Sequence, residues 1–155
     1  MKEGFREEYF EQLAGIEARH FWFRSRNRLI IWALGRYFPD ARSFLEIGCG
    51  TGFVLAGIER AFPEWRLRGG EFYPAGLQSA SRRVKRAELQ QMDARDIPFT
   101  DEIDVVGAFD VLEHIHEDEK VLSQMYQALR QRGGVILTVP QHYFLWSSWD
   151  AISCH

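Results

Sequence analysis

Glu46 stands two residues before the first of three alternating glycines, in the run Ser43-Phe44-Leu45-Glu46-Ile47-Gly48-Cys49-Gly50-Thr51-Gly52. Glycines at 48, 50 and 52 permit positive φ and carry no Cβ. A small ligand can therefore lie against the main chain, with a carboxylate beside it. That carboxylate suits a cationic or hydroxyl-bearing ligand and would repel a pyrophosphate. The dinucleotide spacing Gly-x-Gly-x-x-Gly is not met: the sixth position is Phe53 counting from Gly48 and Leu55 counting from Gly50.

Three further segments carry polar chemistry. Glu71 closes Leu67-Arg68-Gly69-Gly70-Glu71 about 20 residues beyond the glycines, the separation at which a carboxylate meets ribose hydroxyls. Asp93, in Met92-Asp93-Ala94, can accept from an adenine amino group while Met92 or Ala94 flanks the ring. Each has a plainer reading, as a solvated strand-end acid or a turn-forming aspartate. The richest ending is Ala108-Phe109-Asp110-Val111-Leu112-Glu113-His114-Ile115, where an apolar run gives way to Asp110, Glu113 and His114 within five residues. A lone histidine in such a place is more often structural than catalytic. Glu117, Asp118 and Glu119 read as acids complementing a helix amino end.

These residues need a scaffold that brings separate segments to one edge. Strands are predicted near 44–48, 66–71, 88–92, 103–109 and 134–139, with helices near 52–62, 74–84 and 117–131 between them. Val121, Leu122, Met125 and Leu129 share a face of the last helix. An earlier helix carries Ile30, Leu34, Tyr37 and Phe38 and is broken by Pro39-Asp40. Strand and helix alternate without long linkers, which argues for an α/β fold, doubly wound, with a mostly parallel sheet. Ligands then bind outside the carboxyl ends of the strands, where strand order reverses.

The acid-glycine turn, Glu71, Asp93-Ala94, Asp96-Ile97-Pro98-Phe99 and Asp110-Val111-Leu112-Glu113-His114-Ile115 occur in the order and spacing of the class I S-adenosylmethionine-dependent methyltransferases. The resemblance covers roughly residues 40 to 145. It is closest to the small-molecule group whose fourth strand ends in Asp-Val-Leu-Glu-His. It implies a Rossmann-like sheet of strand order 3-2-1-4-5 with helices on both faces. It also implies S-adenosyl-L-methionine as cofactor, S-adenosyl-L-homocysteine as product and a small-molecule acceptor methylated on O, N or C. The cofactor contacts carried over are Glu46, Gly48, Cys49, Gly50, Gly52, Glu71, Phe72, Asp93, Ala94 and Asp110.

A hydroxyl acceptor would need a base near neutrality, for which His114 is the candidate, with His142 and His155 weaker. Asp110-x-x-Glu113-His114 is also similar to the Glu-x-x-Glu-His cluster of metal-dependent O-methyltransferases. Its first position is Asp, and many relatives share the stretch without metal, so the metal-free reading is preferred. The alternative from another class is a catalytically silent S-adenosylmethionine-binding interaction module. A nicotinamide oxidoreductase ranks third, given the glycine spacing and Glu46.

Glu17 to Arg28, with Phe21, Trp22 and Phe23, resembles the aromatic, arginine-bearing lid of that group; a hydrophobic plug on the sheet is the equal alternative. Residues 1–39 are thus expected to be lid and helix, 40–140 the cofactor-binding core, and 141–155 the start of an acceptor-side region. The family sheet usually ends in an antiparallel hairpin beyond the fifth strand. Here that hairpin is expected to be missing, leaving a C-terminally truncated chain whose exposed fifth-strand edge could pair two copies as a homodimer.

Composition agrees with one domain: 155 residues, 46% apolar, support a single core. A net charge of -3 supplies no basic field for nucleic acid, and none is expected as a partner. Cys49 and Cys154 make neither a disulfide framework nor a metal-ligand spacing, and read as free thiols of a reducing compartment. No apolar run reaches the roughly 20 residues of a membrane span and the first residues are too polar for a secretory signal, so a cytoplasmic location is expected.

Overall fold

The computed structural model describes residues 9–140. Two helices, α1 (Tyr9–Ile16) and α2 (Phe21–Tyr37), precede an alternating series: β1 (Ser43–Ile47), α3 (Phe53–Ala61), β2 (Arg66–Glu71), α4 (Pro74–Arg83), β3 (Glu88–Gln91), β4 (Ile103–Phe109), a 3₁₀ turn (Leu112–His114), α5 (Asp118–Ala128) and β5 (Leu129–Thr138). The strands form one sheet in the order β3-β2-β1-β4-β5, with every pairing parallel. The expected strand order is therefore observed.

Strand alternation divides the core between two faces. Phe44, Leu67, Val105 and Phe109 pack on one side with Ile30 and Leu34 of α2, Val54, Leu55 and Ile58 of α3 and Ala80 of α4. Leu45, Ile47, Val106 and Ala108 face the other way, onto Val121, Met125 and Ala128 of α5 and the buried Met92 and Ile97. β1 is buried along its whole length, as a central parallel strand covered on both faces should be. α2 lies close to α3 because residue 57 is glycine: a Cβ there would stand 2.4 Å from Nδ2 of Asn27, which instead donates to the Phe53 carbonyl.

The registers Ile47↔Gly70 and Ile47↔Ala108 bring the carboxyl ends of β1, β2 and β4 level. At the opposite edge Asp104 ties β4 to the start of β1. Its Oδ2 accepts from the backbone N–H of Arg42 and of Ser43, each at 2.8 Å, and from the Ser43 hydroxyl at 3.0 Å.

One boundary differs from expectation. α5 stops at Ala128, not near 131, and β5 begins at once, pairing Leu129 with Ile103. The register then shifts between Ile103 and Val105 so that Val105 meets Gly134. The slack falls where Arg132 adopts φ 68. Gly133 follows, and a Cβ on it would lie 2.9 Å from two carbonyl oxygens. Apolar spacing reaching Leu129 suggested a longer helix, but that side chain is buried from the strand. β5 is the outer strand of the described sheet, with Val135, Leu137 and Val139 exposed. The expectations for 141–155, including His142, His155 and Cys154, lie outside the described residues. No helix among those described is long and apolar enough to cross a membrane.

Candidate functional site

Strand order reverses between β1 and β4, and the chain leaves β1 there through the glycine turn. Gly48, Gly50 and Gly52 all have positive φ, at 66°, 51° and 73°. Two of them are required by contact as well as conformation. A Cβ on Gly48 would stand 2.6 Å from Cγ2 of Val111, and one on Gly52 would meet the Ala80 backbone at 3.0 Å. The turn is sewn to β2 by Cys49 N–H on the Gly70 carbonyl, 3.0 Å, and closed by Gly52 N–H on the Cys49 carbonyl, 2.8 Å. The Cys49 side chain points inward, buried near Gly69, so only its backbone faces the turn. Burial, followed by the charges of Glu46 and Glu71, pushes its thiol well above the ordinary range and keeps it protonated.

Glu71 is buried at the end of β2 and joins the turn directly. Its Oε2 accepts from Gly50 N–H at 2.9 Å and its Oε1 from Tyr73 N–H at 3.0 Å. Burial raises its pKa, while the N–H groups of Tyr73, Gly50 and Phe72 pull it back. With three N–H groups on its two oxygens, the carboxylate keeps acceptor capacity for a ligand hydroxyl. Phe72 is exposed beside it.

Asp93 follows β3 but is not a free acceptor. Both its oxygens take the Arg95 guanidinium, Oδ2 from Nη2 at 2.7 Å, and Oδ1 also takes the Arg95 N–H at 2.9 Å. These bonds to Arg95 hold its pKa down. Ala94 and Met92 are buried, with the Met92 side chain over Gly70, where a Cβ would collide with it.

Glu46 projects to the face of the sheet covered by α2. It is buried, its Oε2 has no hydrogen-bond partner, and burial pushes it well above the usual carboxylate range. Arg26 of α2 opposes that shift, and Glu71 and Glu17 add to it. Arg26 itself bonds through Nη1 to Oδ2 of Asp110, lies 4.6 Å from the Trp22 ring centroid, and has a buried Nε without a partner. Asp110 adopts φ 58, and its Oδ1 accepts from the Thr138 hydroxyl at 2.9 Å. His114 closes the 3₁₀ turn that follows, half-buried, its N–H on the Val111 carbonyl at 3.1 Å.

The structure thus brings Glu46, the glycine turn, Glu71 and Asp110 to one edge and leaves Asp93 bound to its neighbour. Among the described residues no three His, Cys, Asp or Glu side chains converge as a metal site, so Asp110, Glu113 and His114 do not form one.

Several participants were not assigned from sequence. Arg26 lay inside a segment recognised as lid-like, but its pairing with Asp110 is set by tertiary packing. Glu17 and Thr51, both buried, form a second network with the half-buried Arg83. The Thr51 hydroxyl donates to Glu17 at 2.6 Å, and Arg83 Nη1 reaches Glu17 Oε2 at 2.6 Å and Thr51 Oγ1 at 2.9 Å. Arg83 Nη2 also holds the Ala14 carbonyl at the end of α1, 3.0 Å away. Phe10 of α1 is buried against the turn, its ring 3.8 Å from where a Cβ on Gly50 would be. The residues that pack in are thus Phe10, Glu17 and Asn27, whereas of the three aromatics weighed as a plug Phe21 and Trp22 are exposed and Phe23 is half-buried.

The donor set fits S-adenosylmethionine. An orphaned buried carboxylate oxygen and an orphaned guanidinium N–H complement an amino-acid zwitterion, and Glu71 has capacity left for a ribose.

A family profile described as "Methyltransferase domain" matches residues 45–137. A Mycolicibacterium smegmatis protein named "Probable S-adenosylmethionine-dependent methyltransferase" is 26% identical over 132 residues, 83% of this chain and 49% of its own length. A phosphatidylethanolamine N-methyltransferase of Cereibacter sphaeroides is 33% identical over 100 residues, 60% of this chain and 48% of its own. The chain therefore spans about half the length of the curated relatives it matches. Among solved structures, S-adenosylmethionine-bound CalS10, an amino pentose methyltransferase of Micromonospora echinaspora, superposes with a TM-score of 0.72 at 24% identity, over 88% of this chain and 58% of that one. At that identity the likeness shows the fold. With the profile covering more than half of the chain, this protein belongs to the S-adenosylmethionine-dependent methyltransferase domain family.

Proposed function

We propose that this chain binds S-adenosylmethionine across the glycine turn and serves a methyltransferase acting on a small-molecule acceptor at O, N or C. The observation that carries the reading is the buried Glu46 carboxylate, with an unpartnered oxygen, facing Arg26 beside a turn of three positive-φ glycines.

Gly48, Cys49, Gly50 and Gly52 offer backbone to the cofactor's methionine end, with Glu46 and the Arg26–Asp110 pair binding its charges. Glu71 takes the ribose hydroxyls, and Phe72, Ala94 and the Asp93 turn border the adenine. When bound, the cofactor's sulfonium supplies both methyl group and leaving group, so the protein's part is alignment and exclusion of water. His114, beyond β4, is the base that would take the proton of a hydroxyl acceptor. Residues 1–39 act as the closing segment, 40–140 as the cofactor core and 141–155 as the start of the acceptor side. Two copies pair through the exposed edge of β5, which sedimentation of the chain would test.

Calorimetric titration with S-adenosylmethionine, S-adenosylhomocysteine and a reduced nicotinamide dinucleotide tests the cofactor assignment. Micromolar binding of the first two alone supports it, and no binding by a folded chain overturns it. Tritiated methyl transfer across hydroxyl, amine and activated-carbon acceptors then separates the enzyme from a silent binding module.

A further inference from the structure

α2 is oriented by Asn27, Ile30 and Leu34, which are buried. The opposite side of the same helix should be its solvent face, yet it carries Phe21, Leu29 and Trp32, at 75%, 60% and 57% exposure. Trp32 lies near the centre of that face by helical spacing, opposite Ile30 and Leu34. Its ring makes an edge contact with Tyr37, centroids 6.0 Å apart, and does not pack into the core.

The charged residues of this helix share one sign. Arg24, Arg28 and Arg36 are exposed on α2, and residues 21–37 contain no acid at all, in a chain whose net charge is -3. None of the three arginines forms an ion pair among the described residues. A solvated helix face would normally mix signs, as the exposed Arg82–Glu11 pair between α4 and α1 does.

We infer that this outer face of α2 docks on an anionic phospholipid surface, laying Trp32, Leu29 and Phe21 at the headgroup boundary with Arg24, Arg28 and Arg36 on lipid phosphates. Aromatic and aliphatic side chains flanked by arginines on a convex helix are the arrangement of interfacial helices. A two-fold pairing of copies through the same face would set arginines against arginines, with no acid on the helix to neutralise them. Single-stranded nucleic acid would want a basic groove with stacking platforms, whereas this face is convex and includes Leu29. The amino end of α2, where Arg26 reaches Asp110, borders the carboxyl edge of the sheet. Docking would hold the rim of the candidate site close to the lipid.

The test is co-sedimentation of the full chain with vesicles of phosphatidylcholine alone and of equal phosphatidylcholine and phosphatidylglycerol. Binding is expected only to the anionic vesicles and should fall steeply with salt. The double variant Leu29→Ser, Trp32→Ser should lose about tenfold or more, and Arg28→Gln, Arg36→Gln about fivefold for each charge removed. All four side chains are exposed, so circular dichroism should match the parent. Absence of anionic-vesicle binding by the parent overturns the inference, as does binding that both variants retain. A random oligonucleotide retarded by the parent but not by the arginine variant, without vesicle binding, would assign the face to nucleic acid. A concentration-dependent dimer abolished by Leu29→Ser, Trp32→Ser, without vesicle binding, would assign it to a second copy.

Discussion

Arg26 in the second helix and Asp110 beyond the fourth strand, 84 positions apart, form an ion pair over the reversal point of the sheet. Arg26 is held by this pair and by the Trp22 ring, yet still has a buried N–H without a partner, and the charges of Glu46, Glu17 and Glu113 favour its guanidinium against the cost of burial. If that N–H serves the cofactor, Arg26→Lys, which keeps the charge and loses the fork, should weaken S-adenosylhomocysteine binding about tenfold, and Arg26→Ala by more. Calorimetry would read this; unchanged affinity in both variants would leave the pair a purely structural one.

Gly48→Ala should be among the most damaging single changes. The new Cβ meets Val111 at 2.6 Å and must adopt φ 66. Overlap and strain together should cost about 2–4 kcal/mol. Pairing it with Val111→Ala relieves the overlap but not the strain, so denaturation midpoints should recover only in part, with cofactor binding still weakened.

Glu17, Thr51 and Arg83 fix α1 to the turn through a charge pair whose carboxylate is buried. Removing one partner strands the other, so Arg83→Met alone should destabilise by about 3–5 kcal/mol. Glu17→Leu together with Arg83→Met should recover much of that in urea denaturation. Recovery that leaves cofactor affinity low would show the network also positions Thr51 and the turn.

The pH dependence of stability has two sides. Asp104 is half-buried, and the desolvation alone would raise its pKa, but the Arg42 N–H, the Ser43 hydroxyl and N–H and Arg130 outweigh this and lower it. Its contribution is present above the unfolded value of about 3.9 and is lost as pH falls through the lower folded value. Glu46 is raised instead, so its contribution is full below the unfolded value near 4.3 and declines as pH rises through its folded pKa. Urea titrations across pH should therefore show Asp104→Asn removing the acid-side loss and Glu46→Gln flattening the decline on the alkaline side.

His114→Ala should reduce turnover on a hydroxyl acceptor far more than cofactor affinity. Equal loss of both would make the histidine structural.

The local record in the sequence was strong wherever one segment answers one question. Glycines at 48, 50 and 52 require a left-handed turn whatever surrounds them, and the apolar runs Phe44 to Ile47 and Ile103 to Phe109 require strands buried on both faces. Strand order followed from the family resemblance carried by those same motifs.

Tertiary structure decided which polar groups meet. Asp93 and Glu71 look alike as strand-end acids. Only the fold turns one onto Arg95 and the other onto the Gly50 backbone. Arg26 and Arg83 carried no positional signal, because an ion pair across a domain depends on helix rotation and approach, which local propensity does not encode. The absent Cβ of Gly57 lets α2 come close enough to α3 for Asn27 to be buried there. The same rotation that turns Asn27, Ile30 and Leu34 inward exposes Trp32 and Leu29. Sequence alone determined the turn and the strands that flank it, since these are short-range consequences of residue type. The charge network around the turn awaited packing, because it is made between elements far apart in the chain.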